Sequence, residues 1–214
     1  LKGWQGYQQL TKAGFAEAKI RLEKAIELDP EFTRAYAALA VLYWKATHFA
    51  APEHREGLGL TTRQKLLAVK TKPQFLVKKA MKKPTALAHG LMSQFYLMRY
   101  QHDEALAEIE RALAMDPNDP ELYAWMSEIL WLMGKSSEAI ESANMGLRLD
   151  PNNPATYLRQ LGRSYLPDGD LEKSLQLLER AKRINPELSG TVAFHQSVIY
   201  GIQGHIEKAR TAYD

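Results

Sequence analysis

Apolar residues in the stretch 120–153 recur at helical spacing. Leu122, Tyr123, Met126, Ile129 and Leu130 mark one face, and after Gly134 so do Ala139, Ile140, Ala143 and Leu147. Positions three and four apart predict two amphipathic helices, with the chain turning at Gly134. Asp150-Pro151 ends the second helix, because proline disfavours helical backbone in the residue before it. The layout returns in 86–119 with Met92, Tyr96, Ala105, Leu106, Ile109, Ala112 and Leu113. In 154–188 it is carried by Tyr157, Leu161, Tyr165, Leu171, Leu175, Leu178 and Ala181, with a turn at Pro167-Asp168-Gly169-Asp170. An incomplete pair follows from about 189, with Tyr200, Gly204, Ala209 and Tyr213 in the corresponding places.

The helix pairs keep a fixed period. Pro117, Pro151 and Pro186 lie 34 and 35 residues apart, each just after an Asp or Asn, and Pro30 marks an earlier copy. A period of this size filled with helical sequence predicts a solenoid of stacked helix pairs, a class that binds other proteins more often than it transforms small molecules. One region breaks the period: Pro30 and Pro117 are 87 residues apart, about 19 more than two periods. The expected helices there are 33–46 and 73–83, separated by an insertion near 47–70. That insertion reads as a loop from Ala50-Ala51-Pro52 to Gly57-Leu58-Gly59, then a short helix capped by Thr62 and running to Val69. Extra segments in repeat arrays map to one face and are often functional.

These units resemble tetratricopeptide repeats. Tyr36, Leu39, Ala40 and Tyr43 match the first-helix signature, Ala105, Ala139 and Ala209 the small crossing position, and Pro30, Pro117, Pro151 and Pro186 the closing proline. Gly146 departs from the second small alanine, and His89 or Tyr123 stands where tryptophan is usual. The resemblance covers about four-fifths of the chain. It implies an all-α, right-handed superhelical α-solenoid of antiparallel helix pairs. The expected units are about 1–32, 33–85 (expanded), 86–119, 120–153, 154–188 and 189–214 (incomplete). A looser resemblance, through Ala-Val-Leu-Tyr-Trp at 40–44, is to repeat regions of bacterial cyclase-type or transcription-regulatory signalling proteins. It implies a regulatory segment of a larger enzyme as the alternative role.

The family resemblance also implies which positions face a ligand, because first helices line the concave surface of such arrays. Carried onto this chain, those positions are Arg34, Val41, Trp44 and Lys45, then Gly90, Leu91, Gln94, Leu97 and Met98, then Glu121, Trp125, Glu128, Trp131 and Leu132, then Arg159, Gln160 and Arg163, and finally Phe194, His195 and Val198. Such a wall suits a peptide or helix of a partner protein, with Arg159 and Arg163 pairing an acidic group. The competing reading is that Trp44, Trp131 and Met98 pack between neighbouring helices; a third is that the groove holds the chain's own flanks. The Lys and Asn clamp of chaperone-tail-binding members has no counterpart, since Gly90, Gln94 and Trp125 stand in the corresponding places.

Charge adds a second feature. The net charge is +3, yet residues 57–102 contain nine Lys or Arg and no acid, so the remaining 19 basic residues face all 25 acids, a net of −6. The basic patch comprises Arg63, Lys65, Lys70, Lys72, Lys78, Lys79, Lys82 and Lys83. A solvated face, an acidic protein surface, nucleic acid and anionic lipid all fit it. Nucleic acid is the poorest fit among partners, because Phe75 is the lone aromatic near a single Arg.

Catalytic chemistry is not signalled. There is no cysteine, phosphate-binding glycine loop or His-Glu-x-x-His motif, and the six histidines show no metal-ligand spacing. The expectation is therefore a non-enzymatic module with no cofactor and no metal. No apolar run reaches the roughly 18 residues a membrane span needs. Leu1 opens no signal peptide, so a cytoplasmic location is expected, in what reads as a fragment of a longer protein.

Overall fold

The computed structural model describes residues 12–48 and 52–213, and these are helical, with no strand among them. Residues 1–11 of the first expected unit, and Ala50 and Ala51 of the expected loop, lie outside the described residues. The chain divides into two compact units, Leu1–Arg99 and Tyr100–Asp214.

Unit 1 holds α1 (Lys12–Leu28), α2 (Thr33–His48), α3 (Pro52–Gly57), α4 (Arg63–Ala68), α5 (Lys72–Ala80) and α6 (Ala86–Leu97). Helix α2 is apolar almost all round and buried accordingly, from Ala35 through Trp44 to Ala46. Helices α1, α3, α5 and α6 all pack against it. Its N-terminus is tied to the end of the α5 segment by Thr33 Oγ1, which donates to the Lys83 carbonyl at 2.9 Å.

The insertion divides into two parts with different roles. Its first part is helix α3 where a loop was expected. Six residues are too few to show a helical period, and tertiary contacts hold them. His54 stacks on Phe15 of α1 at 4.2 Å, Arg55 Nε donates to the Ala46 carbonyl at 3.1 Å, and Glu56 pairs with Lys12 at 3.0 Å. Gly57 is needed there, because a Cβ would lie 2.5 Å from the Lys12 carbonyl oxygen. The second part is α4, capped as expected: the Thr62 side chain accepts from the Lys65 amide at 3.3 Å. Helix α4 buries none of its residues.

Unit 2 holds α7 (His102–Met115), α8 (Pro120–Leu132), α9 (Ser136–Leu149), α10 (Ala155–Ser164), α11 (Leu171–Ile184), a 3-10 turn (Pro186–Leu188), α12 (Ser189–Ile202) and α13 (Ile206–Tyr213). Hairpin pairs α8/α9, α10/α11 and α12/α13 pack internally, and α8/α10, α9/α10 and α11/α12 join one pair to the next. Asp119 and Asp170 cap α8 and α11 by accepting from the amides of Glu121 and Lys173.

Small residues set the helix spacing. Ala139 and Ala143 of α9 are fully buried. Two serines bond a backbone carbonyl across their crossings: Ser127 Oγ donates to Ala139 at 2.9 Å and Ser174 Oγ to Gly162 at 2.6 Å. Helices approach this closely only where no bulk intervenes. Gly146 has a physical cause too, since a Cβ there would lie 2.6 Å from the Tyr157 ring. The aromatic of the next pair occupies the space an alanine methyl would take.

Two stability changes follow. Gly146→Ala should lower unfolding free energy by about 1–3 kcal/mol, because the buried Tyr157 ring must shift. Tyr100 has φ +60° and is largely exposed, whereas Gly134, Gly169 and Gly204 hold left-handed backbone at about one-period intervals beyond it. Tyr100→Gly should therefore raise stability by about 0.5–1 kcal/mol. Chemical denaturation of each variant checks both signs.

Candidate functional site

In unit 1 the expected ligand-facing residues are mostly interior. Trp44 is 4% exposed, its ring stacked on His48 at 3.7 Å and edge-on to Phe95 at 5.1 Å. Leu91 and Gln94 are buried as well, Leu97 is half-buried, and Met98 is exposed. The expectation of an open wall at Trp44, Leu91 and Gln94 is corrected here. Helix α6 packs directly on α2, and these side chains fill the contact.

In unit 2, Trp125 is likewise buried, at 6% exposure, but the remaining candidates converge on one locality. Arg159 and Arg163 lie one turn apart on α10 and are 9% and 5% exposed. The Arg163 guanidinium carbon sits 4.0 Å from the centroid of the half-buried Trp131 ring, in cation–π geometry. Its Nη1 donates to Glu128 Oε1 at 3.1 Å and to Gln160 Oε1 at 3.2 Å. Gln160 is held in turn by donating to the Ala124 carbonyl of α8 at 3.1 Å. Glu128 and Arg163 stand 35 residues apart, equivalent places on successive first helices, so the repeat itself aligns this pair.

The charges do not balance. Arg159 makes no hydrogen bond among the described residues, and the Nε atoms of Arg159 and Arg163 are both buried without an acceptor. Burial, then the like charge of Arg163, pulls the Arg159 guanidinium down to about 10, with Glu128 opposing. Of these two interior cations only Arg163 is paired with a carboxylate among the described residues, and an uncompensated buried charge is costly.

Helix α12 supplies the neighbouring wall. His195 is buried, donates from Nδ1 to the Thr191 carbonyl at 2.6 Å, and meets the Trp131 ring at 6.1 Å and Phe194 at 5.2 Å. Burial first, then the Arg163 and Arg159 charges, hold its pKa at about 4, so the ring is neutral at pH 7. Phe194, Val198 and Ile202, one turn apart each, are 52%, 40% and 63% exposed. The locality is an apolar stripe beside two buried guanidiniums, one of them stacked on an indole. Repeat position singles out Trp131, Arg159, Arg163, Phe194, His195 and Val198 as candidates; it gives no sign of Ile202 or of the Arg163–Trp131 stack, whose only signal is a separation near one period.

The basic patch is scattered over α4, α5 and the turn after it. Arg63, Lys65, Lys70, Lys78, Lys79, Lys82 and Lys83 are exposed. Lys72 is not a free cation. It donates to Tyr43 Oη at 2.9 Å, lies 4.2 Å from that ring's centre and 3.9 Å from Glu23, a tie between α5 and the core. Lys82 pairs with Glu31 at 3.4 Å. No helix among the described residues is long and apolar enough to cross a membrane.

Comparison with known proteins agrees with this architecture. Residues 96–159 and 155–188 each match a family model described as tetratricopeptide repeat. Residues 96–188 therefore carry tetratricopeptide-repeat sequence. No curated protein sequence matches it. Among solved structures it is similar to YrrB, described as a TPR protein with an unusual peptide-binding site, at TM-score 0.51 and 20% identity, covering 85% of this chain and 82% of that one. It is similar to PilW, described as a widely conserved type IV pilus biogenesis factor, at TM-score 0.64 and 17% identity, covering 99% and 88%. It also resembles a monomeric mutant of IFIT1, solved with Gppp-AAAA, at TM-score 0.65 and 18% identity, covering 99% of this chain and about half (56%) of that one. At these identities the likeness establishes the fold.

The His195 environment has a testable consequence. Its imidazole resonances should titrate with a midpoint near 4, well below the ordinary 6.5. Between those values the folded ring binds fewer protons than the unfolded one, so acidification through that window removes stability. Thermal melts between pH 7 and pH 5 should show a smaller loss for His195→Gln than for the parent protein.

Proposed function

We propose that these tetratricopeptide repeats bind an amphipathic segment of another protein along the first helices of unit 2. Its apolar residues lie on Phe194 and Val198, and its acidic group enters between Arg159 and Arg163. Repeats of this family support a protein-interaction role in general. The observation that carries the specific reading is the charge imbalance: two interior guanidiniums lie one turn apart, both with a buried, unpartnered Nε, and of the two only Arg163 is paired with a carboxylate, that of Glu128, among the described residues.

A carboxylate from a ligand supplies the missing acceptor without new charge being buried on the protein side. Guanidinium suits it because the planar fork donates two parallel bonds. Trp131 holds Arg163 from one face and so fixes the orientation of the guanidinium. Exposed Phe194, Val198 and Ile202 extend the contact with apolar area of the kind that marks interaction surfaces. In unit 1 Met98 is the one exposed apolar candidate, which favours unit 2 for the ligand contact.

Selection from a displayed peptide library should enrich Asp or Glu next to a large apolar residue. Arg159→Gln should weaken the selected peptides about tenfold or more, as loss of one partner of a desolvated charge pair does. Arg159→Met should also abolish acid selectivity while raising stability by about 1–2 kcal/mol, because it removes an uncompensated interior charge. Binding that ignores both substitutions, or a destabilised Arg159→Met, contradicts the assignment.

A further inference from the structure

Unit 1 carries a second surface, independent of the peptide-binding reading. Helix α5 is two-faced: Pro73, Leu76, Val77 and Ala80 are buried, while Phe75, Lys78 and Lys79 are exposed, as is Lys82 in the turn beyond it. Phe75 is 60% exposed, and the Lys79 ammonium lies 5.7 Å from the centre of its ring. Helix α4 buries nothing and presents Leu67, 58% exposed, among Arg63, Lys65 and Lys70. The segment holding both helices contains no acid at all.

The rest of unit 1 does not neutralise this charge. Three of its acids pair away from the patch, Glu17 with Arg21, Glu27 with Lys24 and Glu56 with Lys12, and Glu23 divides between Lys19 and Lys72. Only Lys72 and Lys82 of the patch reach a carboxylate, leaving Arg63, Lys65, Lys70, Lys78, Lys79 and Lys83 without one among the described residues.

We infer that the α4–α5 face of unit 1 docks on an anionic lipid surface, with Phe75 and Leu67 entering the headgroup boundary and the lysines surrounding them. Lysine-rich helical surfaces bearing a few large apolar side chains suit that environment, where ammonium groups snorkel to the phosphates while their stems and the apolar residues sit deeper. Nucleic acid fits less well. Guanidiniums that grip phosphate in a fork number one in this patch, and the Phe75 face that would stack on a base has an ammonium over it. An acid-free patch also needs no shape complementarity to meet a diffuse negative potential.

The test is flotation of the whole chain with phosphatidylcholine vesicles, with or without about one-third phosphatidylserine, at about 0.1 M and about 0.5 M salt. The expected result is retention only on the anionic vesicles, about tenfold above the neutral ones and lost at the higher salt. Lys78→Glu with Lys79→Glu should remove about tenfold in partitioning. Phe75→Ser should remove about threefold or more without changing the salt dependence, and Lys78→Arg with Lys79→Arg should bind like the parent. Equal binding to both vesicle types overturns the inference. So does an effect of the charge reversals without any effect of Phe75→Ser, or displacement from anionic vesicles by a sub-stoichiometric single-stranded oligonucleotide, which assigns the patch to nucleic acid. Peptide binding in unit 2 should be unchanged in every one of these variants, so either reading can fail alone.

Discussion

Close helix–helix approach at positions without bulk is the constraint on which the structure depends. A repeat of two short helices cannot bury its apolar stripe alone and gains a core by stacking on its neighbours. Stacking needs small residues at the crossings, and the chain supplies Ala105, Ala139, Ala143 and Ala181, all fully buried, and Gly162, where a Cβ would meet Leu178 of the facing helix. Carbonyls at two of those crossings are then near enough for Ser127 and Ser174 to bond across them. Gly146 shows how local the tuning is, since one tyrosine in the following pair converts an alanine position into a glycine position.

The same repetition creates the site. Residues one period apart fall on the same face of adjacent first helices, so Glu128 and Arg163 meet without any loop to position them. Packing against Trp131 and Gln160 holds the guanidinium in place and removes water from it. Arg159, one turn away, is buried as well, and its Nε finds no acceptor among the described residues. The energetic cost of that second cation is borne by the stack, which is why removing the charge is expected to favour stability and to harm recognition.

Much of this was legible in the sequence. Helix pairs followed from apolar spacing, their ends from Asp-Pro and Asn-Pro steps, and the α4 cap from Thr62. The family resemblance rested on residues that do sit at crossings and turns. Less legible was anything decided by tertiary contact. Helix α3 has too few residues to display a period and exists because His54, Arg55 and Glu56 each find a partner on α1 or α2. Trp44 and Trp125 sit at positions that face a ligand by repeat phase, yet both are buried; at Trp44 the neighbouring helix comes close enough for Phe95 to reach the indole. Lys72 reads as one lysine among many and is a tie to Tyr43. Phase along a repeat assigns a face; only packing decides whether that face stays open.

The most direct test of the central claim is a nuclear magnetic resonance titration that observes the Nε–H groups of Arg159 and Arg163 and the indole N–H of Trp131 as an acidic amphipathic peptide is added. The account predicts that all three signals move together and saturate, while the same peptide with its acid replaced by the amide leaves the two arginine signals in place. Arginine signals that stay fixed with the acidic peptide bound would contradict it.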